Sequence, residues 1–475
     1  ETASGSLSPF DWDTYGAPLP PVVILVAHLA ASIALLLAVL GLADAGSRPT
    51  RGVNIVGYHH VASGLGEIAR EIHRSLDAAG VPCTAVDVVA TDSPHLRAPA
   101  PSDGPLFDRT IAVVPALQLP TAMHDLPDVV GAQEWLVGYF FWELDVVPET
   151  HQLGIDTVAE IWTPTDFVDR AYASAAGETP VRLMPTRIAE PAIDDDAVAR
   201  WRAEFHAHDA AAGDATEDGV NQSDDLIGPF VFLTSLDLFS VVARKNPAGA
   251  IEAFRRAFGE TDSNTPGDHA PAAGERDVRL VVKTINGDRR PDDLAAIVEA
   301  VGGDPRIIVL DRLVDERELD AMIAAADCFV SLHRSEGLGL HLAQAMWLGT
   351  PVIATRWSGN LDIMADDCAA LIDAELITVE DGRGAYPGTA HWADPDLDQA
   401  ASWMRRVVDD PDEVVRLTEA AHTRMQAQPS RAEVGQAMAA ALDAGAAAGS
   451  PEDFDLADRS ADAPEGDARA ATRIP

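Results

Sequence analysis

Glu336 is followed at once by a glycine loop, Gly337-Leu338-Gly339, and then by an apolar stretch. Leu340 to Leu348 read as a helix that stops at Gly349 and Pro351, with a short strand from Pro351 to Thr355 behind it. The first turn of a helix leaves backbone N–H groups without intrahelical partners, at the positive end of the helix dipole. Glycines ahead of that turn let a phosphate approach those groups. A carboxylate beside the phosphate can accept hydrogen bonds from neutral hydroxyls. A phosphate cradle next to a hydroxyl-reading acid suits a nucleotide joined to a sugar.

Cations for such a ligand are unevenly chosen. Of 34 Lys and Arg residues, only Lys245 and Lys283 are lysines. Both are expected at or just beyond strand carboxyl ends, where open parallel sheets bind ligands, with Lys245 opening a helix. A compact ammonium kept at these two places points to anion binding, with ordinary solvent exposure as the alternative. Glu143 follows Trp142 at the end of a strand. A carboxylate among aromatic residues needs a partner or a raised pKa, so Glu143 reads as an acceptor-side group or as half of a structural ion pair. Gly64-Leu65-Gly66 with Ala69, and Asp87 about 20 residues on, match the dinucleotide fingerprint. The gap from the preceding strand to Gly64 is long for that motif. Glu67 falls at the start of the following helix.

Cys83, Cys328 and Cys368 lie far apart, without CxxC spacing, so neither a disulfide framework nor a zinc site is expected. His59-His60 sits at a strand end, and His206 with His208 runs into a polar connector; neither reads as a metal pair. No metal and no cofactor are expected.

The elements that must carry these residues alternate. Val53 to Tyr58, Ala85 to Val89, Thr110 to Val114, Leu136 to Phe141 and Ala159 to Trp162 read as strands, with a helix over Glu67 to Ala79. A polar helix over 194–208 fades into an acidic connector at 211–225. A second series follows: strand 230–233, helix 247–258, strand 278–283, helix 291–301, strand 306–310, helix 316–326 and strand 328–332. Residues 261–275 read as a surface insertion. Helices over 393–408, 411–426 and 431–444 close the body. Such alternation gives parallel sheets with helices on both faces, here an α/β chain of two Rossmann-like domains across a cleft.

The loop at Glu336 resembles the donor-site signature of retaining glycosyltransferases of the GT-B fold, family 4. That signature has a Glu, a Gly-Phe-Gly-Leu-like loop and a second Glu eight positions on; here the second position is Gln344. Gly64-Leu65-Gly66-Glu67, Gly138-Tyr139 through Trp142-Glu143-Leu144, Trp162-Thr163-Pro164, Arg244-Lys245-Asn246-Pro247 and Ser358-Gly359-Asn360 extend the likeness over roughly residues 52–445. The resemblance implies that Arg244 and Lys245 clamp the donor diphosphate, with Lys283 a less secure match. The Arg usual several residues before that lysine is absent, and Ser240 stands near its place. Glu336 would read sugar hydroxyls, and the amides of Gly337, Leu338, Gly339 and Leu340 would face sugar and phosphate. Gln344 would hold the ribose, and Asn360 and Trp357 would contact the nucleotide or sugar. Gly64 and Gly66 would let the backbone approach the reacting groups. The implied reaction is hexosyl transfer from a UDP- or GDP-sugar to a glycan or lipid-linked glycan, with retention. The glycine fingerprint leaves an NAD-dependent oxidoreductase or sugar-nucleotide epimerase open. Gln344 leaves open a catalytically weakened scaffold subunit.

Formal net charge is −42, which argues against nucleic acid as a partner. An acidic, lysine-poor chain reads as one from the high-salt cytoplasm of a halophile, where the Debye length falls to about 3 Å at 1 M. A GC-rich genome favouring Arg and Asp is the alternative. Residues 22–43 carry no charge and are long enough to cross a bilayer core of about 30 Å. Arg48 and Arg51 behind them would place the body on the cytoplasmic face of the cell membrane. A buried strand and helix is the other reading.

The resulting division is an acidic tail (1–21), a candidate transmembrane helix (22–45) and an N-terminal Rossmann-like acceptor domain (52–190). A helix with acidic connector (191–228), a C-terminal donor domain (229–425), a helix crossing back to the first domain (426–447) and an acidic, disordered tail (448–475) complete it. The crossing-back is implied by the resemblance.

Overall fold

The computed structural model describes residues 50–448, apart from 62, 90–97, 100, 101, 103, 208–227, 260–275 and 381–385. The candidate membrane run at 22–43, the connector at 211–225, the insertion at 261–275 and the tail from 449 therefore lie outside the described residues. Among the described residues, no helix is long and apolar enough to cross a membrane.

The first domain opens with β1 (Thr50–Gly57), α1 (Gly64–Ala78), β2 (Cys83–Asp87) and β3 (Phe107–Val113). It continues through three short helices, α2 (Leu119–His124), α3 (Pro127–Ala132) and α4 (Gln152–Thr157), with β4 (Trp135–Tyr139) between α3 and α4. β5 (Glu160–Thr163), α5 (Asp166–Ala175), β6 (Val181–Leu183) and α6 (Asp195–Ala207) follow. Its six strands are all parallel, in the order β2-β1-β3-β4-β5-β6. Helices cover both faces, so strands such as β1 read as continuous apolar runs, buried from Val53 onward. Ser63 caps α1 by accepting from the Gly66 N–H at 3.2 Å. Ile68, Ile72 and Leu76 fall on one face of α1 and are buried, each contributing about 1.5–3 kcal/mol relative to exposure.

The second domain contains β7 (Phe230–Asp237), α7 (Val242–Lys245), α8 (Pro247–Phe258), β8 (Val278–Ile285), α9 (Pro291–Val301) and β9 (Ile307–Asp311). Then come α10 (Glu316–Ala325), β10 (Cys328–Ser331), α11 (Leu340–Trp347), β11 (Val352–Thr355) and β12 (Ala370–Ile372). The parallel sheet order is β12-β11-β10-β7-β8-β9. The order of strand addition thus reverses between β7 and β10, and the crevice at their carboxyl ends is the ligand position in such sheets. The equivalent reversal in the first domain lies between β1 and β3. The loops after all four strands face one cleft.

Beyond β12 the structure departs from the helix expected over 393–408. β13 (Ala374–Thr378) and β14 (His391–Pro395) form an antiparallel hairpin, and α12 (Leu397–Asp409) begins only after Asp396. Asp396 caps α12 by accepting from the Asp398 and Gln399 N–H groups. Pairing with β13 and burial of Trp392 and Ala393 outweigh the helical tendency of this stretch.

α13 (Pro411–Gln426) and α14 (Arg431–Ala448) complete the chain, and α14 lies on α1 of the first domain. A Cβ on Gly435 would stand 2.0 Å from the Ser75 carbonyl oxygen, so only glycine permits this approach. Arg431 grips the Glu71 carboxylate at 2.7 and 3.0 Å, and Asp443 accepts from Arg51 and Arg109. Nearer the cleft, Thr165 Oγ1 donates to the Gly337 carbonyl at 2.9 Å. The Asp166 N–H donates to Asp362 at 2.9 Å.

Candidate functional site

A cavity of about 720 Å³ lies between the two domains, a size suited to a small organic ligand. Its second-domain wall is built from the loops after β7, β8 and β10. After β10 the chain runs through His333 to Glu336 and into the glycine loop. Gly339 has φ 84°, a left-handed conformation that favours glycine, and precedes α11 without a side-chain cap. Gly337, Leu338, Gly339, Leu340 and His341 all line the cavity. The amino end of α11 therefore opens onto it with its backbone N–H groups.

The cations come from the loop after β7. α7 is a single turn that ends in Lys245, and Asn246 follows in a left-handed conformation at φ 51°. Asn246 holds this corner from both sides. Its amide donates to the Leu332 carbonyl at 2.8 Å, and its Oδ1 accepts from the Gly249 N–H at 3.1 Å. Pro247 then starts α8 at a position where its missing N–H costs nothing. Lys245 therefore closes one helix rather than opening another, because Asn246 breaks the chain direction between them.

Glu336 stands between the two basic side chains. Its Oε1 is 2.5 Å from Lys245 Nζ, and its Oε2 is 3.3 Å from Arg244. Its N–H donates to Ser358 Oγ at 2.8 Å. Burial alone would raise its pKa. Lys245, then Arg244 and His333, outweigh burial and hold the carboxyl well below the usual carboxylate range. Arg244 is buried and donates to the Ser335 carbonyl at 2.8 Å. It also lies 3.6 Å from Glu143 and is hydrogen-bonded to Tyr386. Arg244 thus joins carboxylates from both domains, Glu143 of the first and Glu336 of the second.

Lys283, near the end of β8, is buried and lines the same cavity. Burial pulls its pKa down to about 8, against the opposing pull of Asp237 and Asp311. Gln344, on the second turn of α11, also lines the cavity, and its Oε1 is buried without a partner among the described residues. Glu143, Gly64, Glu67 and Ser240 line it as well.

Four of the residues expected at a ligand do not line the cavity. Gly66 is absent from the lining; its missing side chain makes room for the Tyr58 and Val61 carbonyl oxygens, which lie 2.7 and 2.6 Å from where a Cβ would stand. Asn360 is fully buried behind the loop, donating to the Thr355 carbonyl at 3.0 Å and pairing with His333 Nε2 at 3.2 Å. Trp357 packs edge-on against Phe167 of the first domain, 5.6 Å between ring centres, outside the lining. Asp87, the acid of the dinucleotide fingerprint, is buried against His60 at 3.1 Å and is absent from the cavity lining.

Three lining or supporting residues carry no signal in the sequence. His341 begins the second wall of the cradle, and burial, with Lys245 and Lys283, lowers its pKa to about 4, so it is neutral near pH 7. His333 orients Asn360 from beneath. Tyr386, from the hairpin between β13 and β14, lines the cavity beside Arg244. Nothing in local spacing marks Tyr386, because its neighbours come from distant parts of the chain.

Residues 268–383 match the family model described as Glycosyl transferases group 1. The match includes Lys283, Glu336, the glycine loop and Gln344, and ends before Tyr386. No curated protein matches the chain in sequence. Among solved structures, Alr3699/HepE of Anabaena, in complex with UDP and glucose, superposes with a TM-score of 0.53 at 12% identity, covering 83% of this chain and 100% of that one. Sucrose-phosphate synthase of Thermosynechococcus elongatus gives 0.54 at 14%, covering 84% and 100%. A glycosyltransferase of Rickettsia africae gives 0.52 at 11%, covering 83% and 98%. The fold of this chain is therefore GT-B, and its second domain carries a group 1 glycosyl transferase match.

Proposed function

We propose that this chain transfers a hexosyl unit from a UDP- or GDP-sugar to a glycan or lipid-linked glycan, with retention of anomeric configuration. The observation that carries the reading is the placement of Glu336 between Lys245 and Arg244, at the amino end of α11, inside the interdomain cavity. The UDP in the Anabaena structure, of the same fold, agrees with a nucleotide-bearing donor.

The chemistry follows from charge. Breaking the bond between the anomeric carbon and the phosphate oxygen leaves negative charge on the diphosphate and positive charge on the sugar. Lys245 and the N–H groups at the start of α11 stabilise the departing diphosphate as that charge develops. Lys283, half-protonated near pH 8, takes up a proton beside the same anion. Glu336, ionised at neutral pH, accepts from sugar hydroxyls and fixes the ring. Gln344 offers an amide to the ribose. The acceptor hydroxyl enters from the first-domain side, near Glu143, on the face the phosphate leaves. Its proton passes to the departing phosphate.

The acidic, lysine-poor composition agrees with a high-salt cytoplasm as the setting, and residues 22–43 would hold the chain at the cytoplasmic face of the membrane. A panel of UDP-glucose, UDP-N-acetylglucosamine and GDP-mannose, screened by thermal denaturation in molar KCl, tests the donor assignment. A ligand at 100 times its Kd should add about 2.7 kcal/mol of stability. Stabilisation by NAD and by none of the three nucleotide sugars would overturn the reading.

A further inference from the structure

The connection between β13 and β14 brings a phenol, Tyr386, into the wall of the cleft. Tyr386 lines the cavity and accepts a hydrogen bond from the Arg244 guanidinium. Its charged neighbours are Arg244, Glu143 and Glu336, the groups assigned above to the acceptor and donor sides. Its ring is held from two sides, edge-on to Trp142 of the first domain at 5.6 Å and to Trp392 of β14 at 6.4 Å. His391 ties the hairpin to the first domain. Its N–H donates to Asp145 Oδ1 at 2.8 Å, and its Nδ1 lies 3.1 Å from Asp145 Oδ2.

Resting on the transferase reading above, we propose that Tyr386 is a further catalytic residue, whose phenol donates a hydrogen bond to the phosphate oxygen leaving the anomeric carbon. The phenol keeps its proton throughout. The carbon–oxygen bond to the diphosphate breaks, the bond to the acceptor oxygen forms, and the acceptor's proton goes to the leaving phosphate. Burial holds the phenol pKa well above its ordinary value, so the group remains a donor across the physiological range. Accepting from Arg244 polarises the O–H further.

The test uses the full chain with UDP-glucose, UDP-N-acetylglucosamine and GDP-mannose as probe donors, read as release of nucleoside diphosphate. Tyr386→Phe keeps the ring and removes the hydroxyl. It should lower kcat about 100-fold while leaving the donor KM within about twofold. 3-Fluorotyrosine at 386, which retains the O–H, should restore kcat. Wild-type kcat in the Phe variant overturns the role, as does a loss that falls on the donor KM as heavily as on kcat, which would make Tyr386 a support for Arg244 alone. Should the Phe variant melt early, its kcat is read below its melting temperature, where the same fall is expected and wild-type kcat overturns the role. If the wild-type chain releases no diphosphate from any of the three donors, the transferase reading itself fails and the role of Tyr386 falls with it. Wild-type release with no effect of Tyr386→Phe removes only the latter.

Discussion

Glu336→Gln separates the two tasks assigned to this carboxylate. In the unliganded cleft Glu336 neutralises Lys245 at 2.5 Å, so an incoming diphosphate must compete with it for the ammonium. A hydrogen bond to a charged group contributes about 1.5–3 kcal/mol. Removing the competitor should therefore tighten UDP binding by about 10- to 100-fold, at 1.4 kcal/mol per tenfold. Molar salt, with a Debye length of about 3 Å, moves the gain to the low end of that range. The same change removes the acid that reads sugar hydroxyls, so turnover should fall while UDP affinity rises. Arg244 keeps Glu143 at 3.6 Å, and the Lys245 side chain is 22% exposed and can hydrate. The loss of stability should then stay below the about 3–5 kcal/mol of a stranded buried charge. The depressed pKa of Glu336 stabilises the fold above the unfolded value of about 4.3, and that stabilisation is lost as pH falls through the folded value. The Gln variant should lack this part of the acid dependence. Isothermal titration with UDP, wild type against variant, gives the answer. Unchanged or weaker UDP binding in the variant would refute the competition between Glu336 and the diphosphate.

Three further expectations concern other parts of the site and frame. Lys283 has its pKa lowered to about 8, so below that value the fold bears the penalty of a buried ammonium. The penalty is relieved between about 8 and the unfolded 10.4, and stability should rise over that window. UDP binding should take up a proton near pH 8 to 9, visible as a dependence of the titration enthalpy on buffer ionisation enthalpy, and Lys283→Met should abolish it. Gln344→Met removes a buried amide whose Oε1 has no partner among the described residues. Its melting temperature should hold or rise while UDP affinity falls about tenfold, the worth of about one hydrogen bond. Gly435→Ala places a methyl group 2.0 Å from the Ser75 carbonyl and should destabilise the fold by about 1–3 kcal/mol in chemical denaturation. A neutral result there would mean that α14 is free to shift on α1.

The parts of this fold that are legible in the sequence are those marked by local chemistry. Prolines and caps punctuate α8, α9 and α13, whose bounds coincide with the expected 247–258, 291–301 and 411–426. Gly339 announces the cradle because only glycine is at ease at its backbone angles. The hairpin of β13 and β14 is hidden, since nothing local separates residues 391–395 from the helix that begins at Leu397, and only pairing and burial do so. Spacing also cannot give direction. Gly66 and Asn360 lie in the right segments, yet one packs under the chain and the other behind the loop. Local rules put Lys245 at a helix start, because none of them reveals that Asn246 takes a left-handed turn. Tyr386 and the Arg244–Glu143 pair arise from contacts between segments far apart, which no local pattern records.

A crystal structure with UDP-glucose should show the diphosphate within hydrogen-bond distance of Lys245 Nζ and the N–H groups at the start of α11, with a sugar hydroxyl donating to Glu336. A nucleotide seated instead at Gly64 of the first domain, with Glu336 and Lys245 still paired to each other, would contradict that placement.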